Sequence, residues 1–379
     1  MNKALSLLSI LFIGLILLSF KSSEWSVEIQ SNADTLRKVY SRPPHLWPKP
    51  NVDQSVKFTE LGTLLKSPID TSDIETQPII LLGKLLFFDP RLSASKKISC
   101  ATCHAPNLFW ADAKEVSLGH DDLPNIRNAP ALENVWFYKS FFWDGRAKTL
   151  AQQAEGPISA HNEMNQNLSS LASKISKIKG YKMYFKSAFG TAKVTNERIF
   201  KSLATFQQTI VSEPSAFDHF LNGDTLALTD QQLRGLHLFR TKARCMNCHY
   251  GPYFTDNEFH NLGLSEYGKA NQDLGLYNVS RKNEDVGKFK TPGLRNAAQT
   301  GPWFHNGSVK TLDSLMILYN MGMPDVAPEG DQKLDKLFPK NDKLLRGIML
   351  SVGERKAIIA FLEALSSPIK IQAPNQLPR

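Results

Sequence analysis

Cysteine is scarce in this chain, with four in 379 residues. All four fall in two short clusters, which excludes a disulfide scaffold. Long apolar runs are missing beyond residue 20, and the mean hydropathy is −0.28, so a polytopic membrane protein is excluded. Blocks of like charge are missing too, although the formal net charge is +9 and the pI about 9.2. Scattered basic residues do not make a nucleic-acid stripe, whereas a diffuse positive surface suits an acidic redox partner. Glycine (22) and proline (21) are ordinary in number, which excludes a fibrous or wholly disordered chain. Strand-like alternation is nearly absent, so the fold class read from the sequence is mainly α with long loops.

The amino terminus carries the one long apolar run. Met1-Asn2-Lys3 precedes Ala4–Phe20, and Lys21 follows. Residues 1–21 read as a signal peptide or an amino-terminal anchor, with a buried core helix as the alternative. A clean small-x-small cleavage site is lacking, and so is a cysteine for lipidation. Residues 22–55 are polar, then rich in proline (Pro43, Pro44, Pro48, Pro50), and predict an extended arm. Helical periodicity follows at Pro78–Asp89 and Asn196–Ser212. Thr229 caps the stretch Asp230–Arg240, and Ser351 with Glu354 forms a capping box before the last helix.

The chain also repeats itself. Pro130, Leu132, Asn134, Phe142, Gly145, Lys148, Thr149 and Leu150 recur as Pro292, Leu294, Asn296, Phe304, Gly307, Lys310, Thr311 and Leu312, without gaps. The two cysteine clusters lie a similar distance apart, so the length is read as one duplicated module.

Each cluster is C-x-x-C-H: Cys100, Cys103 and His104, then Cys245, Cys248 and His249. Two thiols at this spacing match the two vinyl groups of one haem, and the adjacent histidine reaches the iron as its proximal ligand. A zinc site and a dithiol redox pair are the rivals. Zinc does not require histidine directly after each pair, and a thioredoxin-like pair expects one motif in a βαβ setting. Two covalent c-type haems are the expectation.

From Leu82 to Leu365 the chain resembles the bacterial di-haem cytochrome c peroxidases and their relative MauG, which matures tryptophan tryptophylquinone. The motifs are GKLLFFDPRLS before CATCH, SLGH, RNAPAL, FFWDGRAKTL, a Gln-Ala pair and Glu163-Met164, then KTPGLRN, GPWFHNGSVKTL and a closing SxxE helix. The resemblance implies two cytochrome c-like domains: a peroxidatic one over 56–212, completed by 348–370, and an electron-transfer one over 213–347. It implies that His120 occupies the distal side of the first haem at rest and leaves on activation. Glu163 would be the distal acid/base, with Met164 lining the pocket. His161 is read as an ordinary loop histidine. Trp143 would lie between the haems, and Arg146 would pair with a propionate. Asn128, Thr300 and Pro302 would hold one calcium ion. Hydrogen peroxide and a small electron donor, a cytochrome c or a cupredoxin, are the implied partners in the periplasm. A homodimer is compatible with the resemblance, and nucleic acid is not a partner.

One departure concerns the second haem. At the position where the peroxidases carry methionine and MauG tyrosine, this chain carries Tyr319, with Met316, Met321 and Met323 as nearby rivals. A phenolate lowers the haem potential and a thioether raises it. Yet His120, which MauG-like enzymes lack, is present. The residue corresponding to Tyr319 in the first repeat is Pro157, which cannot ligate iron, so the first haem is expected to be the open one. Three functions stay in play: peroxide reduction fed by a small redox protein, MauG-like oxidation of protein side chains, and non-catalytic electron carriage.

Overall fold

The computed structural model describes residues 33–379. The expected export segment lies outside them. No helix of the described residues is long and apolar enough to cross a membrane.

The fold is mainly helical, as the scarcity of strand-like alternation predicts. Its helices are α1 (Ala33–Tyr40), α2 (Gln77–Phe87), α3 (Cys100–Cys103), α4 (Leu150–Ser159), α5 (Leu168–Ser176), α6 (Tyr181–Phe189) and α7 (Asn196–Gln208). Then come α8 (Ala216–Leu221), α9 (Asp230–Arg240), α10 (Tyr277–Ser280), α11 (Leu312–Met321) and α12 (Val352–Glu363). Strands β1 (Phe259–Asn261) and β2 (Lys288–Lys290) form a short antiparallel ribbon, with Phe259 opposite Lys290. Side-chain caps start α4, α7, α9, α11 and α12 at Thr149, Thr195, Thr229, Thr311 and Ser351.

Each half is organised around one helix crossing. In the first, Gly83 of α2 meets α7; a Cβ there would fall 1.9 Å from the Ser202 carbonyl oxygen. In the second, Gly235 of α9 meets α12; a Cβ there would fall 2.0 Å from the Ala357 carbonyl oxygen. Only glycine lets two backbones come this close. The same edge-to-face pair sits beside each crossing: Phe87 with Phe206 and Phe239 with Phe361, both at 5.4 Å. One core gathers Leu82, Leu86, Leu171, Phe185, Ile199 and Leu203, and the other gathers Leu233, Leu236, Phe254 and Phe361. Replacing Gly235 by valine is expected to destabilise the protein by about 1–3 kcal/mol or more through overpacking, read as a lower thermal midpoint.

The crossing corrects one boundary. The segment 348–370, expected to complete the first domain, instead supplies α12 to the second, because Gly235 and Phe239 give Phe361 its place. The chain end reaches back to the first half: the Gly180 N–H donates to the Arg379 carbonyl at 2.6 Å, and Arg91 donates to the Pro378 carbonyl at 2.7 Å. A second correction concerns the arm. Its described part contains helix α1, whose Leu36 and Tyr40 are buried in the second core with Trp47. The fully buried Arg240 explains the docking: its guanidinium pairs with Glu60 and donates to the Pro48 carbonyl at 2.8 Å. Burial of an arginine requires such partners; the arm provides the Pro48 carbonyl, and Glu60, just beyond it, provides the charge.

The internal repeat is visible in the backbone. Isolated bridges join Phe141 to Ala147 and Trp303 to Val309, the same offset as the sequence matches. Asn134 and Asn296 are both left-handed (φ 59° and 57°), as are Phe142 and Phe304 (φ 64° and 69°).

Candidate haem sites

The two C-x-x-C-H loops have the same construction. In the first, α3 carries Cys100 and Cys103, opened by a Ser99–Thr102 capping box. His104 Nδ1 lies 3.2 Å from the Trp110 carbonyl oxygen. In the second, a 3₁₀ turn at Cys245–Asn247 leads to His249, whose Nδ1 lies 2.8 Å from the Phe254 carbonyl oxygen. A carbonyl accepts only from N–H, so both rings carry their proton on Nδ1 and keep the Nε2 lone pair for a metal. Burial holds both imidazoles below their usual pKa, which favours this neutral form. The loop cysteines and their histidines line two separate cavities, so each motif has room for its own planar group.

This geometry disfavours the rival readings. Burial pushes the Cys100 and Cys245 thiols up to about 12, the opposite of an activated redox dithiol. Cys248, Asp256 and His260 do converge. But His260 is clamped between Asp256 (2.8 Å) and Asp342 (2.6 Å), which pushes it up to about 12, so it is a cation and not a ligand.

The first cavity is lined by Cys100, Cys103 and His104 on one side. Pro157, Glu163 and Met164 also face it, with Asn125 and Gln153 beside them. Met164 is buried in the first core. Burial raises the Glu163 carboxyl above the usual carboxylate range, opposed by a hydrogen bond from Asn125 and by the charge of Arg146. Asn125 is held in turn, its Oδ1 accepting from the Ile126 N–H at 2.8 Å. Neither Asn125 nor Gln153 was singled out from the sequence, although Gln153 belongs to the Gln-Ala pair of the family motif.

His120, expected on the distal side at rest and away from it on activation, lies beside the first cavity. Its neighbour Gly119 lines the first cavity, but the His120 ring is not in that wall. The ring stands edge-on to His161 at 6.0 Å, with Nε2 3.3 Å from Asp121. The backbone sets this. The His120 N–H donates to the Glu163 carbonyl at 2.8 Å, and Asp121 and Asp122 turn the chain through left-handed conformations. A Cβ on Gly119 would fall 2.1 Å from the Asn162 carbonyl oxygen, so the loop lies flat against the Asn162–Glu163 turn.

The second cavity is larger, and Tyr319 of α11 faces it together with His249, Cys245 and Cys248. The methionine rivals separate by exposure. Met321 is 72% exposed and Met323 is buried away from the cavity, while Met316 is buried in its wall. Burial beside Cys245 and Cys248 holds the Tyr319 phenol well above its usual range.

The wall between the halves gathers the remaining sequence-read residues. Trp143 faces the second cavity and donates from Nε1 to the Asn128 carbonyl at 3.0 Å. The Asn128 N–H donates to the carbonyl of His305, the counterpart of Trp143 in the second repeat, at 2.7 Å. Asn128, Thr300 and Pro302 all line this cavity, and the Asn128 amide is oriented by Nδ2 donating to the Lys114 carbonyl at 2.9 Å. Arg146 lines neither of these two cavities. It pairs with Asp144 at 2.9 Å and lies 3.4 Å over the Phe142 ring, its side chain 45% exposed.

The family described as di-haem cytochrome c peroxidase matches residues 77–226. The methylamine utilization protein MauG of Methylophilus methylotrophus is 37% identical over 298 residues, 77% of this chain and 84% of that protein. The chain belongs to the di-haem cytochrome c peroxidase family. It is an oxidoreductase of that type, with two haem c groups. Cytochrome-c peroxidase IdrP1 of a Pseudomonas species is 32% identical over 335 residues, covering 81% of this chain and 85% of that protein. Among solved structures, a MauG-like protein associated with microbial copper homeostasis superposes with a TM-score of 0.69 at 26% identity. The match covers 83% of this chain and 95% of that one.

Proposed function

We propose that the protein is an exported, periplasmic peroxidase. It reduces hydrogen peroxide to two waters, taking two electrons from a small redox protein and two protons. The observation that carries this reading is Glu163: a half-buried carboxyl, oriented by Asn125, in the wall of the cavity that also contains His104. An electron carrier needs no acid there.

Cys100, Cys103 and His104 would hold the first haem, which would supply the iron chemistry for peroxide reduction. The protein residues handle the protons. Glu163 accepts the proton of the bound oxygen and returns it to the leaving oxygen, so that water departs rather than hydroxide. Pro157 presents no ligand and leaves the site to peroxide. Gly119 brings the loop close against the Asn162–Glu163 backbone, which holds the acid in place. His104, anchored on the Trp110 carbonyl, would offer Nε2 to the iron.

Cys245, Cys248 and His249 would hold the second haem, which would supply the entry point for electrons, and Trp143 lies in the wall between the halves. Asn128, Thr300 and Pro302 offer one amide and two main-chain oxygens for a calcium ion that would tie the halves together.

A second reading is favoured by one specific observation. Tyr319 faces the second cavity, and a phenolate there opposes reduction and suits MauG-like oxidation of protein side chains. The test is peroxide turnover by the holoprotein with a small reduced cytochrome c or cupredoxin. Steady oxidation of the donor, stoichiometric with peroxide, is expected. Failure of every such donor, with oxidised side chains appearing on a partner protein, would transfer the assignment to the second reading.

A further inference from the structure

Lys290 ends β2 and lies in the wall of the second cavity. Its backbone N–H donates to the Trp143 carbonyl at 2.9 Å, which ties it to the residue between the halves. Its ammonium has only neutral partners. Nζ donates to the Ser140 carbonyl at 3.0 Å and lies 3.9 Å from the centre of the Tyr138 ring.

The acid closest in influence is Asp144, which is already taken. It accepts from Arg127 at 2.7 Å and from Arg146 at 2.9 Å. Asp273, the other acid here, is held by Arg127 at 2.7 Å and 2.9 Å. His305, close by, is pressed down to about 4 by burial and is neutral. Arg127, Arg146 and Lys290 therefore face only two carboxylates, leaving one positive charge in excess. Burial presses the Lys290 ammonium down to about 7 in this setting. An enclosed ammonium is costly without an anion.

A c-type haem brings two carboxylates into its cavity. We propose that Lys290 is the partner of a propionate of the second haem, and that it positions this group between the haem and the Trp143 backbone. Arg146, expected to pair with a propionate, is engaged by Asp144 through Nη1 and does not line this cavity, whereas Lys290 does. This pairing of Lys290 holds for either reading of the reaction, because both place a haem on Cys245 and Cys248.

The excess charge stabilises the reduced iron. Lys290→Met is therefore expected to shift the oxidised-to-reduced ratio of the second haem about tenfold toward oxidised, ~59 mV lower in midpoint potential. Lys290→Arg should stay near the wild-type value. Spectroelectrochemical titration of the holoproteins resolves the two haems. An unchanged second-haem potential in Lys290→Met, or an equal loss in Lys290→Arg, would overturn the proposal. A crystal structure of the wild-type holoprotein tests it without any variant. Nζ within hydrogen-bond distance of a propionate oxygen is expected, and Nζ on Ser140 alone with both propionates elsewhere would overturn it.

Discussion

Glu163→Gln is expected to lower kcat/KM for hydrogen peroxide by about 10²–10⁴-fold, the usual contribution of a positioned acid/base group. Haem content and the folded structure should stay unchanged, since glutamine keeps the size and one acceptor for Asn125. The effect should come with a change in pH dependence. Burial raises the Glu163 carboxyl above the usual range, so the proton-accepting form is filled only as pH rises through that shifted value. Wild-type reactivity should therefore fall on the acid side, with its midpoint above that of an ordinary glutamate. The Glu163→Gln variant should lose that limb. Stopped-flow mixing of peroxide with the active protein at a series of pH values reads both effects. An unchanged rate in the variant would remove Glu163 from the chemistry and revive the electron-carrier reading.

Tyr319→Met is the second substitution with a large expected effect. A phenolate favours oxidised iron and a thioether favours reduced iron. The second-haem potential should rise by on the order of 100 mV or more, within the roughly 0.8 V that axial ligands span. A higher potential makes that haem a better acceptor for a small donor protein, so donor-fed peroxide reduction should quicken. The neighbour Met316 sharpens the comparison. It is 3% exposed in the same cavity wall, and Met316→Leu should leave the potential in place. Should Met316→Leu shift the second-haem potential while Tyr319→Met does not, the ligand is the thioether.

Much of the site was legible because its chemistry is written in short spacings. C-x-x-C-H sets two thiols and an imidazole at the reach of one haem, and its six residues line two cavities as that spacing requires. Pro157 was readable from the repeat alone, as a module position that carries no ligand atom. Helix ends were readable wherever a side-chain cap fixes them, and Asp230–Arg240 matches residue for residue. What was not legible depends on long-range packing. The pairing of α12 with α9 turns on Gly235, a helix-interior glycine whose purpose appears only once Ala357 and Phe361 lie across it. Helix α1 is short and polar in sequence, and it is held by contacts with residues some two hundred positions away, such as Tyr40 with His237 at 2.9 Å. The place of the His120 ring depends on the Glu163 carbonyl and two left-handed residues, none of which a motif encodes.

We propose that the two sites are asymmetric: Glu163 would stand over an open first haem, and Tyr319 would close the second. Low-temperature EPR of the fully oxidised holoprotein, before and after a small anionic ligand such as cyanide, measures this asymmetry most directly. One high-spin haem that turns low-spin with the ligand, beside a second haem that does not respond, is the predicted result. Two low-spin haems that both ignore the ligand, or a response confined to the haem on Cys245 and Cys248, would contradict the account.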